Sequence, residues 1–159
     1  MDFKTKVKIA FLTLYSGFVD RGVETFVKEV GNRLAQNHEV FVFQAGPPRG
    51  TEEYQVKQVN LDIDRERKDT TRTLGRLFFL DYWSRLIFLF TVHCWPLLWK
   101  GQFDVIVPTD GGWEKPICWL LKILKGTKIL VAGQSGPGYD DRWNLFWRPD
   151  VFVALTSKA

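Results

Sequence analysis

Residues 7–44 read VKIAFLTLYSGFVDRGVETFVKEVGNRLAQNHEVFVFQ. The stretch opens and closes on apolar runs rich in β-branched and aromatic residues, so each run is predicted to be a strand buried on both faces. Between the runs, apolar residues recur with the one-sided spacing of an amphipathic helix: Val23, Phe26, Val27, Val30 and Leu34. Strand, helix and strand make a βαβ unit, and its right-handed crossover makes the two strands parallel.

The loop between Tyr15 and Gly22 is the first candidate binding site, because ligands of open parallel sheets bind beyond the carboxyl ends of the strands. Its two glycines have the spacing of a phosphate-binding P-loop, but Val23 and Glu24 stand where that motif needs Lys and Ser or Thr. A P-loop kinase or ATPase is therefore excluded. Two interpretations stay open: an anion binds the free N–H groups at the helix N-terminus, or the glycines only make the turn.

After residue 44 the sequence continues to alternate between predicted strands and predicted helices. One helix has Pro116 in its first turn and ends at Gly126. The further strands are predicted at residues 54–61, 103–109, 128–132 and 150–155, with helical segments within 74–99 and 116–125. This order predicts an α/β fold of the Rossmann-like type, a mostly parallel sheet with helices on both faces.

Residues 74–99 are unusually rich in apolar and aromatic side chains. Asp81, Arg85 and His93 interrupt the segment, and each ionised residue at the centre of a bilayer costs about 2.5–3.5 kcal/mol, so a spanning helix is not predicted. Two interpretations remain. The aromatic residues fill a helical layer over the sheet, or they contact a membrane interface, together with an aromatic and basic patch at 142–148. The candidates for that contact are Trp95, Trp99, Trp143 and Trp147.

Composition limits the partners. The 159 residues are long enough for one domain with a sizeable core, and the net charge of +4 suits anionic ligands or a membrane surface. No basic run or basic–aromatic motif favours nucleic acid. Cys94 and Cys118 are predicted to be buried thiols, neither a disulfide nor a metal pair, and no metal or other cofactor is expected. No signal peptide precedes the first strand, which predicts a cytoplasmic protein.

The opening of the chain resembles the family 4 glycosyltransferases of GT-B fold. The residues that carry the likeness are 8–12, the loop and helix start at 21–25, and the Asn37-His-Glu-Val turn into the second strand. Residues 103–106, 128–131 and 150–157 resemble later strands of the family's N-terminal domain. Arg21 stands in place of the first glycine of the family's Gly-Gly-x-Glu loop, and Gln134-Ser135 in place of a histidine that contacts the donor sugar.

The resemblance implies a two-domain enzyme that binds a nucleotide sugar mainly through its C-terminal domain. Residues 1–159 would then be a single Rossmann-like, acceptor-side domain, truncated before its partner domain and inactive alone. The chain ends without the helix that covers a last parallel strand, which agrees with that expectation. By the same resemblance, four loop residues would approach the donor diphosphate: Gly17, Asp20, Arg21 and Gly22.

Asp110, Gln134 and Ser135 are the residues that the resemblance places toward the acceptor and the transferred sugar. Asp110 follows a predicted strand, where its carboxylate could accept a proton or orient an acceptor hydroxyl. Its alternative role is to cap the helix after Gly112. The acceptor would be a sugar, for example a lipid-linked one or a polysaccharide precursor, and the enzyme would be cytoplasmic or peripheral at the membrane.

Two functions of other classes stay open. The same fold could serve as a stand-alone module that binds an anionic ligand or a protein partner, or as a membrane-surface scaffold.

Overall fold

Six parallel strands form one sheet in the computed structural model, which describes residues 6–64, 66–133 and 139–154. The strands lie in the order β3-β2-β1-β4-β5-β6, and every pairing is parallel. Their bounds are β1 Lys8–Leu12, β2 Glu39–Gln44, β3 Gln55–Gln58, β4 Val105–Pro108, β5 Lys128–Gly133 and β6 Val151–Ala154. The Rossmann-like α/β prediction is confirmed, and the sheet is wholly rather than mostly parallel.

Helices cover both faces of this sheet. They are α1 Gly22–Ala35, α2 Thr73–Leu77, α3 Tyr82–Gly101, α4 Glu114–Lys125 and α5 Tyr139–Phe146. The α1 helix packs through Val27 on one face, where its core partners include Phe11 and Val42. The α3 and α4 helices pack on the other face, where α3 contributes Phe90 and α4 contributes Leu121.

The central strands are apolar on both sides because both faces are covered. Phe11 of β1 points into the α1 layer and Leu12 into the α3–α4 layer, and at most 1% of either residue is exposed. Fully burying one such side chain contributes about 1.5–3 kcal/mol. This explains why the opening run lacks the apolar–polar alternation of a half-exposed strand.

The predicted helical segment at 74–99 forms α2 and α3. The α3 helix continues through Pro96, and its buried side chains include Leu86, Phe90 and Leu98. The αL conformation of Gly126 ends α4, as predicted, with its N–H donating to Lys122 O at 2.9 Å. Within the described part of the chain, no helix has the length and apolar character needed to cross a membrane.

The strand order creates one switch point. From β1 the chain passes to β2 on one side, whereas β4 lies on the other side of β1 and begins the second half of the sheet. The connecting loops therefore diverge at the carboxyl ends of β1 and β4, which is where open α/β sheets form their ligand crevice.

Candidate functional site

A pocket of about 380 Å³ opens at the carboxyl end of β1. Its walls come from the loop that follows β1, from the connector before α2 and from the first turn of α3. The lining residues are Tyr15, Phe18, Val19, Arg21, Ile63 and Trp83. The loop singled out from the sequence thus forms one wall of a real cavity, and the remaining walls come from the segments near Ile63 and Trp83 that sequence reasoning did not select.

Arg21 places a positive charge at this pocket. Its guanidinium lies over the ring of Tyr15 at 4.8 Å and pairs with Oε1 of Glu24 at 3.3 Å. Glu24 is buried, and its Oε2 accepts the Arg21 backbone N–H at 3.2 Å. The carboxylate therefore holds both the backbone and the side chain of Arg21. Sequence reasoning did not predict this contact, although the three-residue spacing between a helix N-cap residue and a glutamate is a signal that could have indicated it.

Tyr15 joins the pocket to the second half of the sheet. Burial raises the pKa of the Tyr15 hydroxyl, and the negative charge of Asp110 raises it further. The ring also contacts Trp83 of α3, with 6.1 Å between ring centroids. Tyr15 is thus a neutral hydroxyl group between the two loops that leave the switch point.

Asp110 follows β4 and lies next to this pocket wall. Its Oδ2 accepts the backbone N–H of Leu14 at 2.6 Å, which links the ends of β1 and β4. Burial raises the pKa of Asp110 to about 6, although the Leu14 N–H and the ammonium of Lys115 act in the opposite direction. The alternative that Asp110 caps the next helix is wrong, because α4 begins after Trp113 without a side-chain cap. Its carboxylate instead accepts the backbone N–H of Leu14, in the loop after the neighbouring strand β1.

A buried ion pair lies behind Asp110. Lys115 Nζ donates to Pro108 O at 3.1 Å, to the Asp110 carbonyl and to Glu114 Oε2 at 3.2 Å. Burial raises the pKa of Glu114, whose Oε1 has no hydrogen-bond partner among the described residues. Lys115 therefore fixes the backbone at the end of β4. Sequence reasoning missed the pair, because Glu-Lys at a helix start resembles an ordinary solvated surface.

The other three predicted donor-loop residues do not line the large pocket. Gly17 adopts φ +87°, and a Cβ there would meet Pro47 O at 2.5 Å. Asp20 pairs with Arg49 at 2.6 Å, and Gly22 starts α1 at a position where a Cβ would meet open space. Of the four residues, the structure brings only Arg21 to the pocket. Gly17 and Asp20 line a separate recess of about 20 Å³.

Gln134 and Ser135 lie outside the described residues. Among the described residues, no group of three or more His, Cys, Asp and Glu side chains is arranged to hold a metal ion.

Two of the four tryptophan candidates are partly buried and pack against other aromatic side chains. Trp143 donates its Nε1–H to Gly112 O at 2.8 Å, which fixes the loop after β4. Trp147 packs against Trp143 and Trp119, each at 5.5 Å between centroids. Trp99 of α3 is 41% exposed, so membrane contact remains a prediction for that side chain.

Comparison with known proteins shows the fold. No protein-family profile matches this chain, and no curated protein matches it. Among solved structures, the chain is similar to MurG of Acinetobacter baumannii, a GT-B glycosyltransferase, with a TM-score of 0.54 and 15% sequence identity. The match covers 96% of this chain and 42% of MurG. The Rossmann-like sheet thus corresponds to one half of a GT-B fold.

Proposed function

We propose that residues 1–159 form the N-terminal, acceptor-side half of a GT-B glycosyltransferase that moves a sugar from a nucleotide sugar to an acceptor. The supporting observation is that two opposite charges lie near the switch point. Arg21 lines the pocket, and the negative charge of Asp110 raises the pKa of the Tyr15 hydroxyl in the pocket wall. The chain spans less than half the length of MurG. The donor site of the complete enzyme would therefore be mainly in a second domain.

The two charged residues fit the two tasks of glycosyl transfer. Asp110, with a pKa of about 6, is more basic than an ordinary carboxylate yet mostly ionised at neutral pH. It can accept the proton of an acceptor hydroxyl or orient that hydroxyl. Arg21 can stabilise the charge that develops on the leaving diphosphate. We assign Gly17, Asp20 and Gly22 to the shape of the donor loop.

The finer assignments stay proposals. Residues 134 and 135 would face the acceptor and the transferred sugar. Membership of family 4 is also a proposal. The similarity to MurG, a family 28 enzyme, supports the GT-B half fold but not family 4 specifically.

A membrane-surface role has its own observation. Large apolar side chains are exposed along α2 and α3, and we call them the apolar surface: Leu74, Phe78, Leu80, Phe88, Leu89, Val92, Leu97 and Trp99. Such a surface suits an enzyme that works as a peripheral protein on a lipid-linked acceptor. It equally suits a scaffold without catalysis.

The coding sequence after residue 159 is the first test. A second Rossmann-like half with paired glutamates would support the enzyme, whereas a stop codon would support the module. Calorimetry of residues 1–159 with nucleotide sugars should show weak or no binding. Tight binding to this half alone would contradict the proposed division between the two domains.

If the two domains are expressed as one complete enzyme, the proposed roles of Asp110 and Arg21 can be tested by substitution. Asp110→Asn should lower kcat by about 10²–10⁴-fold, the range of general acid–base catalysis. Arg21→Gln should raise KM for the nucleotide sugar. Arg33→Gln on the exposed side of α1 should leave both kcat and this KM unchanged. Full activity of Asp110→Asn would remove the proposed role of this carboxylate.

A further inference from the structure

A second cavity, of about 240 Å³, lies on the other side of the first turn of α3. Trp83 of that turn lines the large pocket, whereas Tyr82 and Arg85 line this second cavity. The remaining lining comes from the connector before α2, from the buried Leu86 and from two leucines of the apolar surface. These residues are Arg67, Lys68, Asp69, Thr70, Thr71, Leu86, Leu80 and Leu89.

The charges around this cavity are unbalanced. Three cations line it, Arg67, Lys68 and Arg85, against one carboxylate, Asp69. That carboxylate is already engaged, since its Oδ1 accepts the Thr71 N–H at 2.8 Å and its Oδ2 lies 4.0 Å from Arg76. Within the described ranges, neither Lys68 nor Arg85 has a carboxylate at ion-pair distance. The cavity therefore has positive charge to offer to a ligand.

Neutral donors accompany these cations. The hydroxyl of Tyr82 accepts the Asp64 N–H at 3.0 Å, which leaves its own proton free to donate. The same ring lies under the guanidinium of Arg67 at 4.6 Å, and this contact favours a position of the guanidinium beside the cavity. Guanidinium, ammonium and hydroxyl groups together are the usual donors to phosphate oxygens.

We propose that this cavity binds a phosphate group. Its volume admits a phosphate with a small polar substituent, and its leucine rim continues into the apolar surface. The phosphate could therefore belong to a lipid headgroup or to a free phosphate compound. Both present anionic phosphoryl oxygens, with one negative charge on a lipid phosphodiester and up to two on a free phosphate. The proposal does not depend on glycosyl transfer.

The test uses the 159-residue chain. Inorganic phosphate is titrated at constant ionic strength while backbone amide NMR shifts are followed, and vesicles of phosphatidylglycerol and of phosphatidylcholine are co-sedimented separately. Arg85→Gln and Lys68→Gln should each weaken binding about tenfold, the effect of losing one charge-assisted hydrogen bond. Both side chains are exposed, so the variants should fold. Arg33→Gln removes the same charge from α1, on the opposite face of the sheet, and is the matched control.

The outcomes distinguish a free phosphate compound from a lipid headgroup, and both from the absence of a phosphate site. Saturable shifts at residues 66–71 and 82–85 with inorganic phosphate, lost in Arg85→Gln, support a site for free phosphate compounds. Binding only to phosphatidylglycerol vesicles, reduced by Arg85→Gln but not by Arg33→Gln, supports a lipid headgroup. No binding in either arm, or equal losses in Arg85→Gln and Arg33→Gln, overturns the site. Loss of enzyme activity in Asp110→Asn bears on the proposed function alone.

Discussion

At the scale of single residues, Asp110 is notable because its pKa lies above the ordinary value of an aspartate. It is held between a backbone N–H of the neighbouring strand's loop and the field of Lys115, yet burial dominates and its pKa rises to about 6. A carboxyl group with a raised pKa beside a pocket is a candidate for proton transfer. The same shift has a consequence for stability that can be measured without substrate.

Asp110→Asn should reveal that consequence. Because the folded-state pKa of about 6 exceeds the ordinary value of 3.8, the protonated group favours the fold below about pH 4, and this contribution is lost as pH rises through 6. The variant lacks the titration. Its free energy of unfolding, measured in urea, should gain about 1–2 kcal/mol relative to the wild type between pH 4 and pH 7. This is less than the full pKa shift would give, because Asp110 is only partly buried and solvent screens part of the effect.

Asp150→Asn is the control of opposite sign. Although burial raises it, the pKa of Asp150 is held below its ordinary value by the Ile129 N–H and the Lys122 ammonium. Its stabilising contribution is present at neutral pH and fades as pH falls below about 4. For Asp110 itself, the contradicting outcome is a free energy of unfolding that changes with pH in Asp110→Asn just as it does in the wild type. That result would show that the pKa of Asp110 is ordinary in the folded protein.

At the scale of elements, the loop after β1 is shaped by its contact with the loop after β2. Gly46 donates its N–H to Ser16 O at 3.2 Å, and the Gly17 backbone passes so close that a Cβ would meet Pro47 O. The loop's glycines therefore serve different purposes. Gly17 permits a close backbone crossing, while Gly22 begins α1 in open space.

Gly17→Ala and Gly22→Ala form a matched pair that tests this difference. Gly17→Ala should lower the free energy of unfolding by about 2–4 kcal/mol, because it combines a positive φ with a backbone clash. Gly22→Ala should change it by less than about 0.5 kcal/mol, as expected of an unobstructed surface position. Thermal and urea unfolding measure both. Equal effects of the two changes would mean that the loop crossing is absent in solution.

At the scale of the whole molecule, exposed apolar area is distributed unevenly. All the large apolar side chains described as exposed lie after residue 73, on α2–α5, the segments between them and β6, and none belongs to α1. The sheet is therefore covered on one face by a helix whose outer side is polar, and on the other face by helices with an exposed apolar side. Exposed apolar patches of this kind mark surfaces that contact a membrane or another protein.

Replacing Leu74 and Phe78 together by serine should weaken binding to phosphatidylglycerol vesicles by about tenfold or more, because each side chain would lose about 1.5–3 kcal/mol of apolar burial. These residues are 72% and 61% exposed, so the fold should be unaffected. Val153→Ser, an exposed apolar position at the β6 edge, is the control and should bind as the wild type does. Undiminished binding of the serine double variant would assign the exposed leucines and aromatics to some other contact.

The sequence by itself determined the order of strands and helices, the parallel sheet and the loop that adjoins the cavity, because burial on both faces and one-sided helical spacing are written into neighbouring residues. Only the tertiary structure decided which side chains meet. Asp110 reaches the N–H of Leu14 across 96 positions of sequence, and Arg21 separates from Gly17 and Asp20 within one loop. The first contact exists because β4 lies beside β1, and the arrangement of the loop depends on its crossing with the loop after β2. Neither the strand order within the sheet nor the loop crossing is encoded in a local sequence pattern.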